Sequence, residues 1–379
     1  MKELQQLLAL IKHVLVGEAL PEKMDWKRMR TLAYHHHLEG FLYYAVRERD
    51  DVDEKIKAEC QKKHMIFVAQ QLGQNAASSQ IFGDLAARGI RYMPLKATWF
   101  RPLYPTSDLR FSSDVDFYFD PLHKEEVKHI MQEAGFELKL EYVQNFIYTK
   151  GILTIEPHFA IAESERDVAY FGDVWERATS QDGTLYTFSD EDIYIYHLLH
   201  TYKHMLEGGA GVRSVIDTWL WNRNKPHMDR AYLETEYVKL GISRFASALE
   251  RLSRVWFDGE ESDADMDCLG TFILQGGTYG TKEQQAQMDF LEDDDERALE
   301  RAKRKYLWQR LFPSYKEMRW RYPAINKCPL LLPFFWLFRL LKILFTRKNK
   351  KIGTTLSVAQ GMDRDAAKRA SRVKKIIGA

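Results

Sequence analysis

The chain has 379 residues, more than one typical domain, so two or three folding units are expected. At 45% hydrophobic and 13% aromatic it can bury a globular core, and a net charge of +1 leaves no global field that would favour nucleic acid or membrane, so no specific nucleic-acid partner is expected. Cys60, Cys268 and Cys328 are far apart, form no CxxC pair or disulfide framework, and fit a reducing cytoplasm.

The N-terminus, Met-Lys-Glu-Leu-Gln-Gln, lacks the charge and apolar run of a signal peptide. Leu4, Leu7, Leu8, Ile11 and Leu15 recur at helical spacing, and a second pattern through Val68, Leu72, Ala76, Ile81 and Leu85 ends at Arg88-Gly89. The contiguous His35-His36-His37 run faces different sides of a helix and reads as non-metal. Strand chemistry follows: Ile90 to Leu95, then Val115 to Phe119, with a helix expected over 97–104 between them. His123 to Ala134 reads as a helix stopped by Gly135, and 144–150 and 152–159 as a hairpin turning at Lys150-Gly151. Ser189 and Asp192 mark a helix start, and the pattern is helical from there to about residue 257. The stretch from Asp258 to Asp295 is acidic, shows little apolar periodicity early on, and is expected to contain a mobile loop.

Cys328 to Phe345 is the most apolar segment, yet it carries Pro333, Arg339 and Lys342 and is barely long enough to span a bilayer. It reads as a helix from near Pro333 that packs on the protein body; the alternative is weak contact with a membrane surface. Residues 347–379 hold ten Lys/Arg against Asp363 and Asp365, a solvated tail or an amphipathic helix.

The most informative feature is Asp114-Val115-Asp116. Side chains alternate along a strand, so both carboxylates point to one face. Such a pair repels itself unless a cation intervenes, and oxygen ligands suit Mg²⁺ or Mn²⁺. A solvated strand end is the alternative. Two further residues give the pair a context. Lys96 follows an apolar strand and opens a short helix, where the N–H groups of Ala97 and Thr98 would face an anion. Glu156, in Leu153-Thr-Ile-Glu-Pro-His158, lies on a strand that can neighbour the Asp pair. Metal ligands, a cation for the leaving pyrophosphate and a third carboxylate are what nucleotidyl transfer needs. His197, His200 and His204 share a helix face, but no further ligand follows from spacing, and a polar cluster is the preferred reading over zinc.

The combination resembles the DNA polymerase β-like nucleotidyltransferase superfamily and, more closely, the bacterial family called uncharacterised nucleotidyltransferase. That family's pattern is Leu-Lys-Gly, Tyr-Pro, Arg-x-x-x-Asp-hydrophobic-Asp and acid-x-His. This chain reads Leu95-Lys96-Ala97, Tyr104-Pro105, Arg110-x-x-x-Asp114-Val115-Asp116 and Glu156-Pro157-His158, then His200-x-x-x-His204 and Gly211-Val212-Arg213-Ser214-Val215-Ile216-Asp217. The resemblance covers about residues 65–225. Ala97 stands where the family has Gly, Ser113 replaces a small Gly, and the superfamily's Gly-Ser phosphate turn is absent.

The resemblance implies an α+β fold: a small mixed-sheet nucleotidyltransferase core over 89–188, flanked by an N-terminal helical region over 1–88, a helical domain with an acidic loop over 189–327, and an apolar helix with basic tail over 328–379. It implies a cytoplasmic, Mg²⁺-dependent (or Mn²⁺-dependent) enzyme that moves NMP from an NTP, with ATP the first candidate, to an unidentified acceptor. Asp114, Asp116 and Glu156 would hold metal and carry catalysis, and Lys96, Ala97, Arg110 and Arg213 would bind nucleotide. Arg110 would otherwise order the loop before the Asp pair, and Arg213 would otherwise pair with Asp217 one turn on. The alternatives are an inactive nucleotide- or partner-binding module of the same fold, or a membrane-surface scaffold.

Overall fold

The computed structural model describes residues 2–161, 164–290, 296–315, 318, 322, 325, 328–345 and 364–379. The chain forms two compact units, one of residues 1–202 with 212–261, the other of 203–211 with 262–379.

The first unit opens with four helices, α1 Lys2–Val16, α2 Trp26–His35, α3 Glu39–Val46 and α4 Glu54–Ala87. Aspartates start two of them. Asp25 accepts from the Arg28 N–H at 2.9 Å and Asp53 from the Lys55 N–H at 2.7 Å, the ordinary use of a short acceptor at an N-cap. α4 stops where Gly89 takes φ +68°, a conformation that costs glycine little.

Five strands follow: β1 Tyr92–Pro94, β2 Val115–Phe119, β3 Glu137–Glu141, β4 Phe146–Lys150 and β5 Leu153–His158. Their order across the sheet is β1-β2-β5-β4-β3; β2 and β5 are parallel and the other pairs antiparallel. Between β1 and β2 the expected helix is one turn, α5 Ala97–Phe100, followed by a 3₁₀ turn Arg101–Leu103. Pro102 has no N–H to continue the α pattern. α6 Lys124–Glu133 connects β2 to β3.

Alternation gives the sheet two chemistries. Phe117 and Phe119 of β2, Phe146 and Tyr148 of β4 and Ile155 of β5 join Ile81 and Leu85 of α4 and Val127, Ile130 and Met131 of α6 in one buried core. Each such side chain contributes about 1.5–3 kcal/mol of burial. The intervening residues Asp116, Glu156 and His158 therefore belong to the other face.

The unit continues through α7 Glu165–Phe171, α8 Val174–Arg177, the short pair β6 Thr179–Ser180 and β7 Tyr186–Thr187, then α9 Asp190–Leu206, α10 Val212–Asn224, α11 Arg230–Leu240 and α12 Ser243–Phe257.

The second unit is helical. Within the acidic stretch the structure forms α13 Ala264–Gly276 and α14 Lys282–Phe290; residues 291–295 lie outside the described residues. Asp263 caps α13 by accepting from the N–H groups of Asp265 and Met266, both at 2.9 Å. Met266, Leu269, Phe272 and Ile273 then supply a buried face that the acidic flank obscures in the sequence. Backbones cross closely here: a Cβ on Gly280 would meet the Gly208 carbonyl at 2.4 Å.

α15 Glu296–Leu311 and the helix Leu332–Phe345 meet through Trp336, whose Nε1 donates to Pro313 O at 2.9 Å, and Arg339, whose Nη1 donates to Arg310 O and Leu311 O at 2.9 and 3.1 Å. Arg339 thereby satisfies carbonyls at the end of α15. The expectation that Leu332–Phe345 packs on protein holds for this face only, since the opposite face is exposed. A last helix, Arg364–Ile377, buries Ala367, Ala370, Val373 and Ile377, and its Arg372 Nε lies 2.7 Å from Asp265 Oδ1 of α13; residues 346–363 lie outside the described residues.

Candidate active site

The parallel register of β2 and β5 sets Asp116 beside Glu156 and Tyr118 beside His158. Both strands present these side chains on the face opposite the apolar core. β1 brings in the third element. The Leu95 N–H donates to Asp116 O at 2.9 Å, and the next residue, Lys96, turns away from the sheet at φ +49° and ψ −107°. A non-glycine residue in such a conformation costs about 1–3 kcal/mol. The cost is met by packing around Leu95 and Ala97, both buried.

Asp116 is the hub. Its Oδ1 accepts from Lys96 Nζ at 2.7 Å and lies 2.8 Å from His158 Nε2. Glu156 Oε2 accepts from Asn145 Nδ2 at 2.9 Å and lies 3.9 Å from His158 Nε2. Ser112 Oγ lies 3.1 Å from Asp114 Oδ1, and α4 clamps the same loop: Gln70 donates to Ser113 O at 3.3 Å and Gln74 to Ser112 O at 3.1 Å.

The electrostatics are those of crowded carboxylates beside one ammonium. Burial pushes Asp116 upward, but Lys96 and His158 hold it well below the usual carboxylate range. Burial and the charge of Asp116 raise Asp114. Burial, then Asp116 and Asp114, raise Glu156 to about 7. Burial would lower Lys96, but Asp116, with Tyr196 and Asp114, outweighs it and raises the ammonium. For Asp114 and Glu156 burial is the larger cause, and the neighbouring carboxylates add to it.

Among the described residues, ligand atoms of Asp116, Glu156 and His158 lie within 4.8 Å of one another, a spacing that can hold a metal ion. Two carboxylates and an imidazole fit a divalent cation; the oxygens suit Mg²⁺ and the nitrogen shifts preference toward Mn²⁺. His158 is the member that reading the Asp pair and Glu156 as ligands leaves out. It lies two residues after Glu156, so strand alternation alone places it on that face. Asn145 carries no such local signal. His197 is engaged with Thr218 at 2.9 Å, and the α9 histidines form no metal-capable cluster among the described residues.

Both arginines make contacts within the protein. Arg110 is buried, with Nε 3.0 Å from Asp217 Oδ1, Nη2 2.9 Å from Asp217 Oδ2, and Nη1 donating to Phe111 O at 3.1 Å. Tyr104 donates to Asp217 Oδ1 at 2.6 Å. Arg213, expected beside Asp217, donates to Phe111 O at 2.8 Å, and its charge acts on Asp114. The anion site expected from the Ala97 and Thr98 N–H groups is reduced, because the Thr98 N–H donates to Leu95 O at 3.2 Å.

A family model described as uncharacterised nucleotidyltransferase matches residues 22–258, more than half of the chain. The chain belongs to this family. Every site residue named above lies inside the matched range, and the helix Leu332–Phe345 lies outside it. No curated relative and no solved structure shows a significant match. Membership of the uncharacterised nucleotidyltransferase family supports a transferase with an NTP substrate.

Proposed function

We propose that this protein is a cytoplasmic nucleotidyltransferase dependent on Mg²⁺ or Mn²⁺, moving NMP from an NTP, ATP first, to a hydroxyl or phosphate of an acceptor. The observation that carries the reading is the β2–β5 register with Asp116 beside Glu156 and Lys96 Nζ 2.7 Å from Asp116, in a member of a nucleotidyltransferase family.

An acceptor oxygen forms a bond to the α-phosphorus, the bond from that phosphorus to the β-bridging oxygen breaks, and pyrophosphate leaves with the electron pair; where the acceptor is a hydroxyl, its proton passes to solvent. A divalent cation, when bound, would supply neutralisation of the negative charge that develops in this transfer. Asp114, Asp116 and Glu156 would hold it, with His158 at the same edge. Lys96 exchanges the Asp116 carboxylate for a phosphate oxygen of the triphosphate, next to the Ala97 N–H. Arg213 adds positive charge on the Asp114 side. Arg110 acts indirectly, holding the loop before Asp114 against α10.

The test is incubation of wild type and Asp116→Asn with α-labelled and γ-labelled NTPs, Mg²⁺ or Mn²⁺, and cell extract. Wild type should place α-label on an acceptor and release the γ-label as pyrophosphate, and the variant should do neither. Transfer of γ-label instead identifies a phosphotransferase and overturns the proposal. So does the absence of both NTP binding and labelling.

A further inference from the structure

Asn145 stands 11 residues before Glu156, at the tip of the β3–β4 hairpin. Main chain alone places it there. The Tyr142 N–H donates to Asn145 O at 2.9 Å, which closes the tip, and the N–H groups of Phe159 and Ala160 donate to Gln144 O at 2.8 and 3.2 Å. A single antiparallel bridge pairs Asn145 with His158. The tip is thereby fastened to the end of β5, the strand that carries Glu156 and His158.

Alternation then aims the side chain. Phe146, the first residue of β4, packs into the apolar core, so the residue before it faces the other side of the sheet, that of Asp116, Glu156 and His158. Glu141, Tyr142 and Val143 are exposed, while Asn145 is buried.

The chemistry at this position is specific. Asn145 Nδ2 donates to Glu156 Oε2 at 2.9 Å. The same Oε2 lies 3.9 Å from His158 Nε2, which lies 2.8 Å from Asp116 Oδ1. A carboxylate oxygen has two lone pairs, so the amide takes one and leaves the rest of the group for another partner. A lysine or arginine here would neutralise Glu156 and take a cation's place. An aspartate would add a fourth carboxylate to Asp114, Asp116 and Glu156. An amide does neither: it holds the carboxylate and leaves its charge. Glutamate needs such a hold, because its last torsion is broad rather than confined to narrow wells.

We propose that Asn145 is a positioning residue, whose amide fixes the Glu156 carboxylate toward Asp116 and His158 and so completes a site for a divalent cation. This role rests on the metal-dependent reading of the site.

The test is calorimetric titration of the full chain with Mn²⁺ alone, for wild type, Asn145→Ala and Asn145→Leu. Hydrogen-bond partners of metal ligands typically contribute about 10–100-fold to metal affinity, and both variants should lose that much. Leucine keeps the bulk of asparagine, so it separates the lost donor from lost packing. Water-proton relaxation by the bound Mn²⁺ should rise in both variants, because water takes the coordination position that an unfixed Glu156 gives up. Wild type that binds no Mn²⁺ overturns the metal reading, and this role with it. Wild type that binds Mn²⁺, with both variants binding as tightly, overturns the role of Asn145 alone. So does weaker binding without the rise in relaxation. So does loss of cooperative unfolding in both variants, since the side chain then holds the hairpin itself.

Discussion

Lys96 carries two separable features, an ammonium on Asp116 and a main chain in a conformation that disfavours side chains. Lys96→Ala should weaken NTP binding by roughly tenfold or more while sparing the unphosphorylated nucleoside, because a charge-assisted contact is typically worth about 1.5–3 kcal/mol. Calorimetric titration with both ligands checks this; equal losses would mean a folding defect. Lys96→Gly removes the same ammonium but fits φ +49°, so its melting temperature should exceed that of Lys96→Ala. Glu39 offers a test of a buried acid away from the site. Its Oε2 has no hydrogen-bond partner and its Oε1 lies 4.0 Å from His37 Nδ1. Burial raises the carboxyl to about 7, against the partial relief of Lys63 and Arg213. The folded state therefore keeps a proton that the unfolded chain loses near its ordinary value. This group's stability is fully present below about pH 4.5 and is lost as pH rises through about 7, by up to about 3 kcal/mol. Urea unfolding at pH ~5 and ~8 should show a fall in wild type, to which Glu156 also contributes, and Glu39→Gln should make it smaller by the Glu39 share.

At the scale of elements, one buried ion pair ties α10 to the loop before β2. Arg110 and Asp217 form it, Tyr104 donates to the same carboxylate, and all three are buried. Asp217→Ala strands the Arg110 guanidinium and should cost about 3–5 kcal/mol in denaturant unfolding. Arg110→Met combined with Asp217→Leu should recover much of that loss, since two apolar groups need no desolvated partner. A double variant as unstable as the single one would mean that the pair is held by more than its charges. This pair is also where a sequence reading misleads: Arg213 and Asp217 share a helix face, yet Asp217 is claimed by an arginine far away in the chain. Local elements are more legible. Val115–Phe119 is a strand because aromatic residues alternate with Asp116 and Tyr118, and the Lys150-Gly151 turn marks the β4–β5 hairpin. Strand β3 carries only the thin alternation of Leu138 and Leu140, both exposed, and leaves no burial signal to read.

For the molecule as a whole, the site's chemistry predicts linkage between metal and stability. If Asp116 and its neighbours hold a cation only when folded, saturating Mn²⁺ should raise the melting temperature. The gain is about 2.7 kcal/mol at one hundred times the dissociation constant. Differential scanning fluorimetry with Mn²⁺, Mg²⁺ and Ca²⁺ measures it, and Asp116→Asn should abolish the shift. An equal shift in the variant would place the ion elsewhere. What the sequence leaves unread at this scale is order: no local pattern states that β5 inserts between β2 and β4, the arrangement that puts Glu156 and His158 beside Asp116.

That insertion also has a meaning in time. Asp116 and His158 are separated by 42 residues, and Arg110 and Asp217 by 107. At roughly 5–20 residues per second on the ribosome, the second half of the site emerges about 2–8 s after the first, and the strut that steadies its loop about 5–20 s after Arg110. During synthesis the lysine and the two aspartates thus exist before anything can complete them. The growing chain must protect a nascent acidic strand, with its apolar reverse face, until β5 arrives to shield it.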